Sequence, residues 1–196
     1  MYDVLLQRLN HLVPLNSQQQ QNLCWVVKVE EYPKASILLE KGQISDQIYF
    51  VVEGILRSYC NIEGNQVTRW FGFAGHFASA YFSFVYRQPS DDYLALETDA
   101  QLLSISYDAL QNLAHQDPVW IDLNRRLLEY YYMDLLERVM SFQTQSAAER
   151  YTNLLRTYPD IEHQVPLGHL ASYLGMTPET LSRLRHRRKR RQTDSA

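Results

Sequence analysis

The sequence predicts an α+β chain: an antiparallel β-roll or jelly roll, then a long helix, then an all-α helix-turn-helix domain. Short β-type runs separated by turn signals fill residues 25–106. A stretch without glycine or further proline then extends from Pro118 to about Phe142, as expected for one long helix. Residues 165–185 have the spacing of two short helices joined by a tight turn.

The β-type runs lie between turns that contain glycine, proline, asparagine or aspartate. They cover residues 37–39, 48–52, 55–59, 67–71, 93–96 and 102–105. Residues 1–24 have leucines at helical spacing, and Asn16 or Ser17 can cap a second short helix there. Residues 79–86 are long enough for a short helix inside the β region, and 107–116 return to helix.

The helix expected after Pro118 has little polar surface. Leu128, Leu135 and Phe142 recur every seven residues, and the three tyrosines at 130–132 surround the helix almost completely. One side can contact the preceding β domain. A second copy of the chain is the simplest partner for the other side, in a two-stranded coiled coil that makes a homodimer. The alternative is a helix buried within one chain.

Residues 165–185 match a helix-turn-helix at several independent positions. The apolar positions of the two helices are Leu167, Leu170 and Leu174 in the first, and Leu181 and Leu184 in the second. Gly175 stands where a helix ends in the left-handed conformation. Thr177 can cap the second helix, and Pro178 fits its first turn without loss of a hydrogen bond.

The second helix has a polar face opposite its leucines. The candidate DNA-binding residues on and beside this face are Thr177, Glu179, Thr180, Ser182, Arg183 and Arg187. In helix-turn-helix proteins the second helix enters the major groove of double-stranded DNA. Glu179 and Arg183 share one helix face because they are four residues apart. An arginine can donate two hydrogen bonds to guanine, and a glutamate can accept one from cytosine.

The charge distribution favours a phosphate-binding surface near the C-terminus. Residues 183–196 hold seven of the 19 Lys and Arg residues and one acidic residue, a net of +6. The rest of the chain holds 12 basic and 21 acidic residues, a net of −9. A basic segment directly after a helix-turn-helix suggests contact with DNA phosphates. A solvated, disordered tail is the alternative for the basic segment taken alone.

A helix start ahead of the helix-turn-helix marks a domain boundary. Ser146 and Glu149 have the spacing of a capping box, so a new helix begins there and the boundary is expected near Thr144. The predicted units are a sensor domain over residues 1–116, a dimerisation helix over 117–143, and a DNA-binding domain with a basic tail over 144–196.

Composition and motifs argue against catalysis, metal binding and membrane insertion. Cys24 and Cys60 form no CxxC or metal-ligand spacing, and the six histidines include no His-x-His pair of the kind that cupin metal sites need. His76 is expected in a loop, and His169 is expected to be a polar surface residue. The N-terminus lacks a secretory signal pattern, and no apolar run is long enough to span a bilayer. We expect a soluble cytoplasmic protein that is not an enzyme and holds no cofactor.

Two stretches carry a family resemblance. They are residues 40–54, which contain Glu-Lys-Gly-Gln and Ile-Tyr-Phe-Val-Val-Glu-Gly, and residues 169–183, which read His-Leu-Ala-Ser-Tyr-Leu-Gly-Met-Thr-Pro-Glu-Thr-Leu-Ser-Arg. Over essentially its whole length the chain resembles the Crp/Fnr family of bacterial transcription regulators. The resemblance implies a cyclic-nucleotide-binding-like sensor domain, a homodimer on a roughly palindromic operator, and RNA polymerase as a partner. It assigns base contacts to Glu179 and Arg183 in a recognition helix at about 178–188, where family members often have a basic residue in place of Pro178.

The sensor region departs from the family members that bind cyclic AMP. Those members have a Gly-Glu pair for the ribose and an Arg-Ser pair for the cyclic phosphate. This sequence has Gly75 followed by His76, and further on Asp91 and Asp92. Carboxylates beside a cyclic phosphate are repulsive, and Arg87, the only cation nearby in the sequence, is out of register. We expect no cyclic AMP binding by the usual contacts, which leaves an unidentified small-molecule effector or none.

The sequence also departs from the family after the recognition helix. It offers no β-hairpin wing, and the basic run at 187–191 is expected to replace the wing's phosphate contacts as a tail. The rival interpretation is a protein-interaction or ligand-sensing module whose helix-turn-helix does not bind DNA. A protein-binding face would carry apolar residues, whereas the outward face here carries Glu, Thr, Ser and Arg, which favours DNA.

Overall fold

Two four-stranded antiparallel sheets form the N-terminal roll of the structure, a computed structural model that describes residues 1–193. The strands are β1 (Lys28–Tyr32), β2 (Ile37–Leu39), β3 (Gln47–Glu53), β4 (Leu56–Ile62), β5 (Asn65–Gly72), β6 (Phe77–Ala78), β7 (Tyr93–Leu96) and β8 (Ala100–Ser106). One sheet has the order β1-β8-β3-β6 and the other the order β2-β7-β4-β5. The predicted antiparallel roll is confirmed.

The interior of the roll is filled by aliphatic side chains. Val51, Leu56, Leu94 and Leu102 have no exposed surface, because they alternate along their strands with residues that point to the outside. On the outside of the second sheet, Phe71 joins a different core, which the C-terminal helices supply.

Helices surround the roll and continue to the C-terminal end of the described chain. They are α1 (Tyr2–Leu12), α2 (Ser17–Val26), α3 (Tyr81–Tyr86), α4 (Tyr107–Gln116), α5 (Val119–Thr144), α6 (Ala147–Thr157), α7 (Ile161–Gln164), α8 (Leu167–Tyr173) and α9 (Pro178–Thr193). Asn16 and Ser146 form complete capping boxes with Gln19 and Glu149, which fixes where α2 and α6 begin.

Helix α5 connects the roll to the C-terminal helices. Its N-terminal half packs Trp120 and Leu123 with α1 and α4 against Phe50 and Leu103 of the first sheet. Further along α5, the Phe77 N–H donates to the Tyr131 hydroxyl at 2.6 Å. One side of α5 is therefore bound to its own roll, as the sequence predicts.

Some elements differ from the sequence-based expectations. Strands β1 and β6 and helix α7 were not predicted, and α9 was expected to end near residue 188 with a tail beyond it. Instead α9 continues as helix to Thr193, because lysine and arginine favour helix and no proline or glycine follows Pro178. Residues 194–196, the end of the predicted third unit, lie outside the described residues. Within residues 1–193 no strand follows α9, and none of the helices has the length and apolar character needed to cross a membrane.

Candidate nucleic-acid interface

The turn between α8 and α9 has the geometry of a helix-turn-helix. Gly175 adopts φ +64°, and the amides of Gly175 and Met176 donate to the carbonyls of Ser172 and Ala171 at 3.1 and 3.0 Å. This pair of hydrogen bonds ends α8 in a Schellman motif, which needs a residue in the left-handed conformation. The chain is thereby turned directly into α9.

The start of α9 is fixed by the cap that the sequence predicts. The Thr177 hydroxyl accepts a hydrogen bond from the Thr180 N–H at 3.3 Å, and Pro178 occupies the first turn. One turn further, Leu181 is fully buried against Leu170 and Ala171 of α8. Because Ala171 is small, the two helices can cross closely.

The six predicted DNA-binding residues lie along or beside the face of α9 that points away from this core. Thr177, Glu179, Arg183 and Arg187 are exposed, and Thr180 and Ser182 are half-buried. The Arg183 guanidinium donates to the Thr180 hydroxyl at 3.3 Å. Hydrogen bonds from the backbone N–H and from Thr177, with Arg183 nearby, lower the pKa of Glu179. Glu179 is therefore a carboxylate with acceptor capacity towards solvent.

The arginines of α9 separate into two rows. The outer row, Arg183, Arg187 and Arg190, is exposed and follows positions i, i+4 and i+7. The inner row, Arg185 and Arg188, points back to the protein.

The inner row is held by one buried carboxylate. Arg185 Nε lies 2.8 Å from Glu162 Oε1 on α7, and Arg188 Nη2 lies 3.7 Å from Glu162 Oε2. The Tyr151 hydroxyl donates to the same carboxylate at 2.7 Å. The inner row thus fixes the C-terminal half of α9 to the domain, whereas the outer row remains available.

The opposite side of the motif contacts the roll, which the sequence did not predict. On α8, His169 Nδ1 lies 2.8 Å from Glu97 Oε1, and the Ser172 hydroxyl accepts from the Thr68 N–H of β5 at 2.9 Å. His169 is therefore not the surface polar residue that was expected. A polar face on a short helix gives no local signal for a partner that lies about 70 to 100 residues away in the chain.

Comparisons with known proteins agree with this architecture. Residues 29–117 match the family model described as cyclic nucleotide-binding domain. A protein of Eubacterium rectale described as a transcriptional regulator of the crp/fnr family has 18% identity and a TM-score of 0.68, covering 87% of this chain and 82% of that chain. The chain has the fold of the Crp/Fnr regulators.

Two further structures share this Crp/Fnr-type fold. The c-di-GMP responsive global regulator CLP of Xanthomonas campestris has 18% identity and a TM-score of 0.64, with 92% of this chain and 93% of that chain covered. The catabolite activator protein of Thermus thermophilus has 19% identity and a TM-score of 0.56, with 94% and 88% covered. A search of curated proteins found no significant match to the sequence.

In the Crp/Fnr-type roll, the two carboxylates predicted to repel a cyclic phosphate already have cationic partners. Asp91 lies 3.5 Å from Lys41 Nζ, and Asp92 lies 2.8 Å from Arg69 Nε. Burial raises the pKa of Asp92, and Arg69 opposes that shift. Arg87 is thus not the only cation near these carboxylates in space, because the fold brings Lys41 and Arg69 to them from distant positions in the sequence.

Arg87 itself is bound elsewhere in the roll. Its guanidinium donates to the Ser45 carbonyl at 2.8 Å and to the Asp46 carboxylate at 2.7 Å. Arg87 is therefore held by its own neighbours in the roll. Among the described residues, no group of three or more His, Cys, Asp and Glu side chains is arranged to hold a metal ion.

Proposed function

We propose that the chain is a sequence-specific DNA-binding transcription regulator that acts as a homodimer. Each protomer inserts α9 into the major groove at one half-site of a roughly palindromic operator. The observation that carries this proposal is the exposed polar face of α9, fixed on a buried apolar core. Residues 1–116, 117–143 and 144–196 are the sensor, dimerisation and DNA-binding units of the proposal.

Glu179 and Arg183 are the proposed base-contacting pair. Both are exposed and lie one helical turn apart, so they meet the same stretch of groove floor. Arg183 is suited to a guanine edge and Glu179 to a cytosine amino group. Thr177, Thr180 and Ser182 border this pair and are suited to phosphates or neighbouring bases.

The outer row of arginines continues the contact towards the DNA backbone. A straight helix that crosses the major groove approaches the phosphates at its end, as the third helix of homeodomains does. Arg187 and Arg190 follow Arg183 along one face and are exposed. We propose that they contact phosphates in place of a wing, and that the inner row holds α9 straight.

In vitro selection with the purified protein, followed by affinity measurements across salt concentrations, tests the DNA proposal. The logarithm of affinity should fall linearly with the logarithm of salt, by about 0.9 for each phosphate neutralised. Changing both Glu179→Ala and Arg183→Ala should cost at least about tenfold in affinity for the selected sequence.

The matched control is Lys34→Ala, which removes an exposed cation from the roll. It should change neither the salt dependence of binding nor the affinity for the selected sequence. A wild-type protein without sequence preference would contradict the DNA proposal. So would a double variant that binds like wild type. Either result favours the rival protein-interaction module.

The homodimer is proposed from the apolar side chains of α5 that remain exposed in the single chain. Leu128, Leu135 and Phe142 repeat every seven residues and remain 40%, 56% and 42% exposed. Other apolar side chains of α5 are exposed beside them, namely Tyr130, Tyr132, Met133, Leu136, Val139 and Met140. The heptad spacing fits a two-stranded coiled coil with a second copy, which would cover this apolar surface.

Sedimentation of a double variant tests the dimer. Leu128→Asp with Leu135→Asp should give monomers and abolish tight operator binding, because charges in the coiled-coil seam cannot be solvated. Ile62→Asp is the control, since Ile62 is 54% exposed at the end of β4, far from α5 in the sequence. A wild-type monomer at micromolar concentration would refute the homodimer.

The sensor unit is not expected to bind cyclic AMP by the usual contacts. The sequence resemblance aligns Asp91 and Asp92 with the arginine and serine that bind the phosphate in cyclic AMP-binding members. In addition, the roll interior is filled by aliphatic side chains. Calorimetry with cyclic AMP should therefore give no saturable heat. RNA polymerase as partner and cytoplasmic action without catalysis complete the proposal, with an unidentified small-molecule effector or none.

A further inference from the structure

A buried cluster of charged and polar side chains joins the roll to the helix-turn-helix. Arg57 on β4 and Glu97, directly after β7, have only 4% and 6% of their side-chain surfaces exposed. Arg57 Nε lies 2.6 Å from Glu97 Oε1, and His169 Nδ1 of α8 lies 2.8 Å from the same oxygen. One carboxylate oxygen therefore contacts both units.

Within the roll, Arg57 donates two side-chain hydrogen bonds to the neighbouring strand of its own sheet. Its Nη1 donates to the Thr68 hydroxyl at 3.3 Å and its Nη2 to the Gln66 side chain at 2.7 Å, both on β5. The guanidinium fixes the Glu97 carboxylate in place, because a buried carboxylate without partners is strongly unfavourable. His169 is the group through which the helix-turn-helix contacts this pair.

Two further contacts with the roll are made from the same side of α8 as His169. His169, Ser172 and Tyr173 lie at i, i+3 and i+4, so they share one face. Ser172 accepts from the Thr68 N–H at 2.9 Å, and the Tyr173 ring packs on Phe71 with centroids 5.0 Å apart. This face docks α8 against β5, which is one of the two edge strands of its sheet.

The other face of α8 belongs to the core of the DNA-binding unit. Leu170, Ala171 and Leu174 are buried with Leu181 of α9. Because α8 is held on one side by the roll and on the other by α9, the contact at Glu97 sets how α9 is oriented relative to the roll.

We propose that Glu97, with Arg57 and His169, is a positioning group that sets the direction of α9 and hence the operator half-site spacing a dimer accepts. This inference rests on the proposed function. Successive side chains of a strand point to opposite faces of the sheet. Leu56 and Leu96, the neighbours of Arg57 and Glu97 in the sequence, therefore point into the roll interior. A change inside the roll that moves β4 or β7 therefore moves the group that holds α8.

Two measurements and one control measurement on His169→Ala test the inference. In the DNA-free protein, hydrogen exchange at the Thr68 amide should become faster, because the Ser172 contact loosens. On DNA, the preference for the selected operator over one with its half-sites one base pair further apart should fall about tenfold, the factor of one hydrogen bond to a charged group. Affinity for a single half-site should stay unchanged, which a variant with a disrupted helix-turn-helix would not show.

Matched variants separate positioning from general loss of stability. His163→Ala removes an exposed histidine from α7 of the same unit and should behave as wild type. His169→Gln keeps an N–H donor and should restore part of the spacing preference, and Glu97→Gln should lower it.

Each failure has its own consequence. The inference would be overturned if His169→Ala kept both the hydrogen exchange rate of the Thr68 amide and the spacing preference of the wild type. It would also be overturned if the Thr68 amide exchanged faster but the spacing preference did not change. A wild-type protein that binds no specific DNA would overturn the proposed function and the positioning role together. A failure confined to the His169→Ala comparison would overturn only the positioning role.

Discussion

The outward face of α9 and the roll-facing side of α8 are both polar surfaces of one helix-turn-helix, but they are used differently. On α9, Glu179 and Arg183 are exposed, and the hydrogen bond of Arg183 to Thr180 lies within the helix. On α8, His169 and Ser172 are bound to groups of the roll. Polar residues with free hydrogen-bonding capacity are those a ligand can contact, whereas residues bound internally determine where the contacting surface lies.

The same division recurs among the arginines of α9. The inner row is bound to Glu162 and supports the helix, whereas the outer row faces solvent along the same sixteen-residue helix. A count of basic residues does not separate these roles. Their angular position around the helix does, because Arg185 and Arg188 lie on the side of Leu181 and Leu184.

Loss of the shared core should disrupt both polar faces together. Leu181→Ala removes a fully buried side chain between α8 and α9, at an expected cost of about 2–5 kcal/mol in the free energy of unfolding. Urea denaturation measures this cost, and operator affinity and Thr68 amide protection should fall in parallel. Leu184→Ala, at a partly buried position, should cost less. If Leu181→Ala lost operator affinity but its Thr68 amide remained fully protected from hydrogen exchange, the polar faces of α8 and α9 would not depend on one shared core.

Local sequence patterns predicted the fold well where the packing is local. The capping box at Ser146 and Glu149 starts α6 as expected, and the run at 48–52 lies inside β3. Strand β1 was missed because Lys28–Tyr32 carries charges at a sheet edge and lacks apolar alternation. Strand β6, with two residues, is too short to leave any pattern.

The candidate site divides in the same way. The outward face of α9 follows from helical spacing within one segment, so its residues could be named from the sequence. The contact of His169 with Glu97 depends on how distant strands pair and on where α8 lies upon them. Ion pairs between Arg69 and Asp92 and between Arg57 and Glu97 also required the strand register. Local periodicity contains no information on such contacts.

Substitutions of the two glycines near the turn between α8 and α9 should have smaller effects on stability, and the two effects should have opposite signs. Gly175→Ala places a side chain at φ +64°, which costs about 1–2 kcal/mol, and its Cβ would lie 2.6 Å from Phe142 Cε1. Gly168→Ala is the control, since Gly168 is helical with open space around its Cβ, and it should stabilise by about 0.5–1 kcal/mol. Thermal unfolding of both variants measures these changes. Similar melting temperatures would mean that the left-handed turn is not required.

The smallest predicted effects are those of single arginine substitutions in α9, and they should differ between the outer and the inner row. Arg187→Ala should reduce the magnitude of the salt slope of operator binding by about 0.9 and leave the unfolding free energy unchanged, because it removes one phosphate contact. Arg185→Ala should leave the slope unchanged and cost at most about 1 kcal/mol of stability, because Glu162 keeps Tyr151 and Arg188 as partners. Both variants lose one positive charge, so net charge cannot explain a difference between them. Equal slopes would mean that α9 attracts DNA through its total charge, and the division into rows would then have no role in binding.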